Sequence, residues 1–299
     1  MYDKTDPRSA LAPAAGAAAP RTGLIAEIQE GYFYKDPPQI DDATGKTWLI
    51  RGHNFVLAWT DAAPGASLAR TGQADEYAVL LPKSGAVIDW GGVKTHVPGW
   101  SLAFVPAGDS VVTLPDGGPV TRLFTTRAAD LAAACANAQG YDQPRRHIPE
   151  FAAWPDPKGG WKVRHYGLDV PAQPGRFGRI FRCTTMMVNV LDPYQGPRDA
   201  TKMSPHHHDD FEQCSLAIEG TFDHHLRWPW TTDMADWRDD VTVHMGTPSA
   251  LVIPPPVIHT TRAVGAGTNQ LVDIFCPPRM DFSEKPGWVL NADDYPMLA

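Results

Sequence analysis

The segment Ala200-Thr-Lys-Met-Ser-Pro-His206-His207-His208-Asp-Asp-Phe-Glu212-Gln213-Cys-Ser-Leu-Ala-Ile-Glu-Gly220 concentrates the residue types that do chemistry. On an extended strand residues two apart share a face, so His206 and His208 can aim both imidazoles at one point while His207 faces away. Imidazole nitrogen suits zinc, iron, nickel, copper and manganese-type sites. A third imidazole is available from His259, just past the turn Pro254-Pro255-Pro256. Three convergent histidines leave coordination positions open, as a catalytic metal needs and a closed structural zinc site does not.

Such side chains need short strands to hold them, and the chain is patterned for strands. TWLIRGHNFVLAW, DEYAVLLPKSGAVIDW and GWSLAFVPAGDSVVTL follow one another from Thr47, each apolar and cut by Gly, Pro or Asp. The pattern resumes near Trp161 with RIFRCTTMMVNVL, FEQCSLAIEGTFDHHLRW, SALVIPPPVIHTTRAV and NQLVDIF. Short apolar runs bounded by turn residues are the signature of an all-β sandwich or barrel, and 29 Pro and 26 Gly supply the turns. AADLAAACANA, residues 128–138, is the one clear helix candidate, rich in strong helix formers. Residues 99–111 and 246–259 share a Gly, an apolar strand and a Pro turn, and each follows a strand ending in Gly. One β unit used twice is the economical reading. The expected division is a tail over 1–22, a barrel over 23–127, a helix and connector over 128–160, a barrel over 161–280 and a C-terminal tail over 281–299.

Composition excludes several classes of function. A hydrophobic fraction of 43% with ten Trp fits a globular chain and not a disordered one. Twenty-six Lys and Arg against 34 Asp and Glu leave −8, with no long basic run, so neither nucleic acid nor an anionic membrane is the expected partner. No stretch approaches the roughly 20 consecutive apolar residues of a membrane span, and the Ala/Pro-rich start is not built like a signal peptide. Four scattered cysteines without a CxxC pair form neither a disulfide scaffold nor a zinc ribbon, so a cytoplasmic home is expected.

The metal-type segment resembles the cupin superfamily, whose first motif is G-x5-H-x-H-x3/4-E-x6-G and whose second is G-x5-P-x-G-x2-H. Here the first reads Ala200, five residues, His206-x-His208, four residues, Gln213, six residues, Gly220. The second is matched by Pro254-x-Pro256-x2-His259. The resemblance implies two jelly-roll barrels joined by a short helix, with one divalent ion (Mn, Fe, Ni or Zn) in the C-terminal barrel. Ala200 and Pro256 replace glycines, which affects turns more than chemistry. The fourth ligand stays open: Gln213 fits the longer spacing and Glu212 the shorter, and residues one apart cannot share a face. The distance to Gly220 favours Gln213. In the N-terminal half the corresponding stretch is Leu68-Ala-Arg70-Thr-Gly-Gln-Ala-Asp-Glu76, and Val111 stands where the last ligand belongs, so the metal is expected to be lost there.

Around the site, Arg227 is a candidate clamp for a substrate carboxylate and His225 or His224 a candidate proton carrier, with periodicity silent on which strand face is inside. Trp228, Trp230, Met234 and Trp237 form a loop that could cap a pocket, and Asp209, Asp210 and Glu212 could orient imidazoles. As the resemblance implies, three-His, one-Gln cupins include sugar-acid-processing and hydroxynitrile-cleaving enzymes, and three-His, one-Glu cupins include many oxygenases and decarboxylases. The expectation is a metal-dependent lyase, isomerase or hydratase acting on a small oxygenated molecule. The alternatives are an iron dioxygenase and a binding cupin without turnover. Fold analogy implies a homodimer.

Overall fold

The structure, a computed structural model, describes Pro7 and residues 25–143, 145 and 148–298; the expected tail over 1–22 lies outside the described residues apart from Pro7. The strand Tyr77–Leu81 shows how the chain is layered, because all five residues are buried. Tyr77, Val79 and Leu81 join one apolar core, and Ala78 and Leu80 join another. A strand buried on both faces reads as a continuous apolar run, which is why these segments lack polar alternation.

Two antiparallel seven-stranded sheets form the body. One runs Arg164–Gly167, Ser101–Val105, Tyr77–Leu81, Gly118–Thr125, Phe55–Ala62, Gly45–Arg51 and Ile40–Asp42. The other runs Gln29–Gly31, Ser249–Ile253, Gln213–Glu219, Thr268–Phe275, Met187–Val190 and Arg179–Arg182, with Tyr194–Gln195 paired to Thr268–Phe275. They pack face to face: Leu57, Leu80, Leu102 and Leu123 of the first share a core with Val188, Leu216, Val252 and Ile274 of the second. Each sheet is closed into a barrel by a smaller one. In the N-terminal half this is Ala66–Gln73, Gly108–Leu114, Ala86–Trp90 and Val93–Val97; in the C-terminal half it is Val241–Met245, Phe222–Arg227 and Ile258–Ala263. The all-β, two-barrel architecture is the one expected, and the connecting helix spans Ala129–Ala134.

Six strands of each large sheet follow the same order, so the chain is one unit used twice. Each unit also lends the other an edge strand. Gln29–Gly31, from the N-terminal half, pairs with Ser249–Ile253, and Arg164–Gly167 pairs with Ser101–Val105. Edge strands left open invite unwanted pairing, and this exchange covers one edge of each large sheet.

Two buried carboxylates clasp the sheets together. Glu76 accepts bonds from the backbone N and Oγ1 of Thr184, both at 2.9 Å, and from the Tyr295 hydroxyl at 2.7 Å. Glu212 does the same in the opposite sense, accepting from His53 N at 2.5 Å and from the Tyr141 hydroxyl at 3.1 Å. Asn137 grips the backbone of Arg51 through N at 2.9 Å and O at 2.8 Å, and Asn291 grips Arg182 at 3.0 and 2.8 Å. The pattern Asn-Ala-x-x-Tyr at 137–141 and 291–295 is therefore one device used twice. The C-terminal tail spans the interface as the mate of the connector. Gly52 is required beside this clasp, since a Cβ there would lie 2.6 Å from Glu212 Oε2.

No helix among the described residues is long and apolar enough to cross a membrane. All four cysteines are buried and unpaired, and burial raises their thiol pKa values.

Removing one donor from a buried carboxylate leaves it under-satisfied. Tyr295→Phe is expected to lower the unfolding free energy by about 1–3 kcal/mol, read as a shifted urea midpoint at unchanged slope.

Candidate metal centre

The strand Gln213–Glu219 has one face committed to the inter-barrel core, where Cys214 and Leu216 lie. Gln213, Ser215 and Ala217 must then face into the C-terminal barrel. The chain leaves this strand at Gly220, whose φ is +92° and whose Cβ would meet Asn269 Oδ1 at 2.4 Å. It returns through Phe222–Arg227 and later Ile258–Ala263, which brings His259 beside Gln213. The extended segment at His206 docks on His259 through paired backbone bonds, His206 N to His259 O at 3.0 Å and His259 N to His206 O at 2.7 Å.

These contacts gather three imidazoles. Ligating nitrogens of His206, His208 and His259 lie within 4.8 Å of one another, the one such group of His, Cys, Asp or Glu among the described residues. Backbone carbonyls set two of the tautomers. His206 Nδ1 lies 2.9 Å from Ser204 O, and His259 Nδ1 lies 2.9 Å from Val257 O. A carbonyl only accepts, so Nδ1 carries the proton in both and Nε2 keeps its lone pair for the centre.

Gln213 brings an amide oxygen to the same point. Its Nε2 donates to Ser215 Oγ and Asp273 Oδ1, each at 3.0 Å, so Oε1 has to point the other way. That oxygen lies 2.8 Å from His208 Nε2 and 3.3 Å from His259 Nε2. With the proton on Nδ1, His259 turns its Nε2 lone pair toward that oxygen, an approach that a positive centre between them relieves, so this donor set fits a divalent cation. Asp273 is the part that sequence reasoning missed. Its signal was present, as a lone carboxylate in the apolar run NQLVDIF.

A cavity of about 100 Å³ opens onto His206, Gln213 and His259. Arg198, Thr261 and Asn269 also line it. The Arg198 guanidinium is held by Thr261 O at 2.9 Å, Lys202 O at 2.7 Å and Ser204 Oγ at 3.0 Å. No carboxylate among the described residues pairs with it, so its charge remains available to the cavity. Nothing in its turn-rich surroundings distinguished Arg198 in the sequence.

Three expectations need correction. His225 and Arg227 lie on the outer face of Phe222–Arg227; His225 meets Thr242 Oγ1 at 2.9 Å, and Arg227 is paired with Asp240 in solvent. Neither lines the cavity, because Phe222, His224 and Leu226 take the inward face. His224 is instead buried behind Thr261, with Nδ1 at 2.9 Å from its hydroxyl, and burial pushes its pKa down to about 3. Glu212 turns away from the histidines into the clasp with His53 and Tyr141. The aromatic loop does not line the cavity: Trp230 and Trp237 stack on each other at 4.5 Å, and Trp228 is buried against Ala26. His207 is exposed beside Asp209.

No protein-family profile and no curated protein sequence matches the chain. Solved structures do. The formate complex of Lactobacillus farciminis oxalate decarboxylase matches with a TM-score of 0.56 at 14% identity, over 86% of this chain and 89% of that one. Another oxalate decarboxylase structure, from a study of proton-coupled electron transfer, gives 0.55 at 12% identity, over 85% and 78%. The fold is the two-barrel cupin fold. AerE from Microcystis aeruginosa shares it with a TM-score of 0.50 at 7% identity, over 85% and 98%. At these identities the likeness speaks for the cupin fold and not for a reaction.

Two outcomes follow from this geometry. Gln213→Ala and Asp273→Asn should each weaken metal binding by about 10–100-fold, whereas Glu212→Gln should leave it unchanged, in competition titrations against a chelator. Glu212 also gives a pH dependence, since burial raises its pKa from 4.5 to about 6. A raised folded-state pKa means the folded state binds the proton more tightly, so stability falls as pH rises from about 4.5 to 6. The loss is roughly 2 kcal/mol, and Glu212→Gln should remove that step from the pH profile of chemical unfolding.

Proposed function

We propose that the chain is a metal-dependent cupin enzyme that holds one divalent ion on His206, His208, His259 and Gln213 and acts on a small carboxylic acid by lyase-type chemistry. The observation that carries this reading is the convergence of three imidazoles and one amide oxygen on a single point at a cavity wall. When bound, a divalent ion supplies Lewis acidity that polarises a carbonyl or carboxylate oxygen. All four donors are neutral, so the protein leaves the ion's charge largely for the substrate. Asp273 works at one remove, by fixing the Gln213 amide through its Oδ1.

The remaining side chains suit an acid of a few heavy atoms. Arg198, held rigid by its three acceptors, presents a guanidinium to a carboxylate. The Thr261 hydroxyl, tied to neutral His224, offers a hydrogen bond along the cavity wall. Oxalate decarboxylases carry this fold, and a small dicarboxylate agrees with the cavity's size and with Arg198. With Glu212 occupied elsewhere, the three-His, one-Glu arrangement that the cupin resemblance associates with oxygenases and decarboxylases alike is not formed, so the neutral donor set favours other lyase chemistry on the acid. The N-terminal barrel is not needed for the metal in this reading.

The test begins with elemental mass spectrometry on untagged protein, where about one ion per chain is expected, lost in His206→Ala and His259→Ala. Two- to four-carbon keto, hydroxy and dicarboxylic acids are then screened by product NMR, before and after chelation. Chelation should abolish turnover and metal should restore it. Arg198→Met should raise KM by about 10–100-fold, the loss of a charge-assisted hydrogen-bond pair, with a smaller change in kcat. A chain without metal after reconstitution would remove the proposal, and iron with oxygen consumption would replace it with the dioxygenase.

A further inference from the structure

The N-terminal barrel repeats the geometry of the metal centre with different chemistry. Tyr77 sits opposite Val105 as Gln213 sits opposite Ile253. Arg122 sits opposite Val79 as Asp273 sits opposite Ser215. Arg70 sits opposite Ser110 as His206 sits opposite His259. A register shift between Gly108 and Ser110 turns Ser110 inward and buries it, so Ser110 and not Val111 is the mate of His259. The contacts repeat as well: the Tyr77 hydroxyl meets Ser110 Oγ at 3.0 Å where Gln213 Oε1 meets His259. Where one barrel gathers imidazoles, the other gathers guanidiniums.

Those guanidiniums differ in how they are satisfied. Both lie near the Phe124 ring, Arg70 at 5.4 Å and Arg122 at 5.6 Å from its centre, and that ring stacks on Tyr77 at 4.8 Å. Arg70 is neutralised by Asp130, with bonds of 2.6 and 2.9 Å, and its Nε donates to Gln73. Arg122 is 6% exposed and its side chain has no hydrogen bond or ion pair among the described residues; its Nε is sealed without a partner. Burial lowers its pKa to about 10, so it stays cationic at neutral pH. Burial raises the Tyr77 phenol, which stays protonated. Two hydroxyls bonded to each other have one hydrogen to spare, so Tyr77 and Ser110 together offer a further donor. A buried cation without a counter-charge is strongly unfavourable, and an aromatic face offsets it only in part.

We infer that the N-terminal barrel is an anion site, in which Arg122, with the Tyr77 and Ser110 hydroxyls beside it, takes a small monovalent anion as its counter-charge. The site has exchanged a bound cation for a built-in one, and its guest has changed sign. A halide and a formate-sized carboxylate share the required chemistry. The site owes nothing to the metal centre and stands or falls separately from it.

The experiment uses the full chain. Crystals are soaked in sodium bromide and the anomalous signal is mapped, with and without competing sodium formate. In parallel, melting temperature is followed against bromide and formate, with sodium gluconate, a much larger anion, as an ionic-strength control. Both are repeated in His206→Ala/His259→Ala, so that anion binding at a metal cannot contribute. The expected result is an anomalous peak at the Arg122 guanidinium and a saturable rise in melting temperature with either anion but not with gluconate. Arg122→Met should weaken that response at least tenfold. Bromide undisturbed by formate identifies a halide site, and displacement by formate identifies a carboxylate site. Absence of the peak together with no melting response in either arm overturns the inference, as does a full response in Arg122→Met. If Arg122→Met does not fold, the anomalous map of the wild-type chain decides.

Discussion

The face-to-face packing of the two seven-stranded sheets is the constraint from which the rest of the structure follows. Cys214, Leu216 and their neighbours are buried against the sheet of the other barrel, so Gln213 and Ser215 have one remaining direction, into their own barrel. Side chains alternate along a strand, and fixing one face fixes the other. Whether Gln213 or Glu212 faces the three histidines is thus decided by an apolar interface that never touches them. Glu212 belongs to the same interface. Its carboxylate is used on the far side, at His53 and Tyr141, as Glu76 is used at Thr184 and Tyr295.

That symmetry of scaffold leaves the two interiors free to differ. The N-terminal barrel is filled largely by Val79, Leu81, Ile88, Val112 and Phe124, with Arg122 as its buried charge without a counter-charge among the described residues. The C-terminal barrel keeps Gln213, Ser215 and Asp273 at matching positions, a hydrogen-bonded row that leads to the histidines. Divergence inside each barrel costs the frame little, because the clasps, the exchanged edge strands and the shared core lie outside both interiors.

The electrostatics of the centre come from what is tied and what is left over. Ser204 and Val257 carbonyls hold the Nδ1 protons of His206 and His259, and Asp273 holds the amide of Gln213. Each tie leaves one electron pair aimed inward. Arg198, tied only to carbonyls and a hydroxyl, brings a positive charge to the same cavity without neutralising it. A site of neutral donors with a nearby guanidinium is suited to gathering negative oxygen, in keeping with a small acid as substrate.

Much of this was legible in the residues. The spacing of His206, His208, Gln213, Gly220 and His259 singled out one barrel and one candidate site, because strand periodicity makes residues two apart face the same way whatever surrounds them. Repeated apolar runs with Gly and Pro turns carried the all-β class and the internal duplication. What the sequence left undetermined was which face of each strand looks inward. Alternation is symmetric under exchange of faces, so His225 and Arg227 were as good as His224 until Phe222–Arg227 was packed. Long-range partners were equally invisible: Arg198 and Asp273 reach the cavity, and Glu212 reaches His53, only through contacts between segments distant in the chain. The sequence by itself determined which residues travel together on a face; the packing of sheet on sheet decided where each face points, because only burial distinguishes one side of a strand from the other.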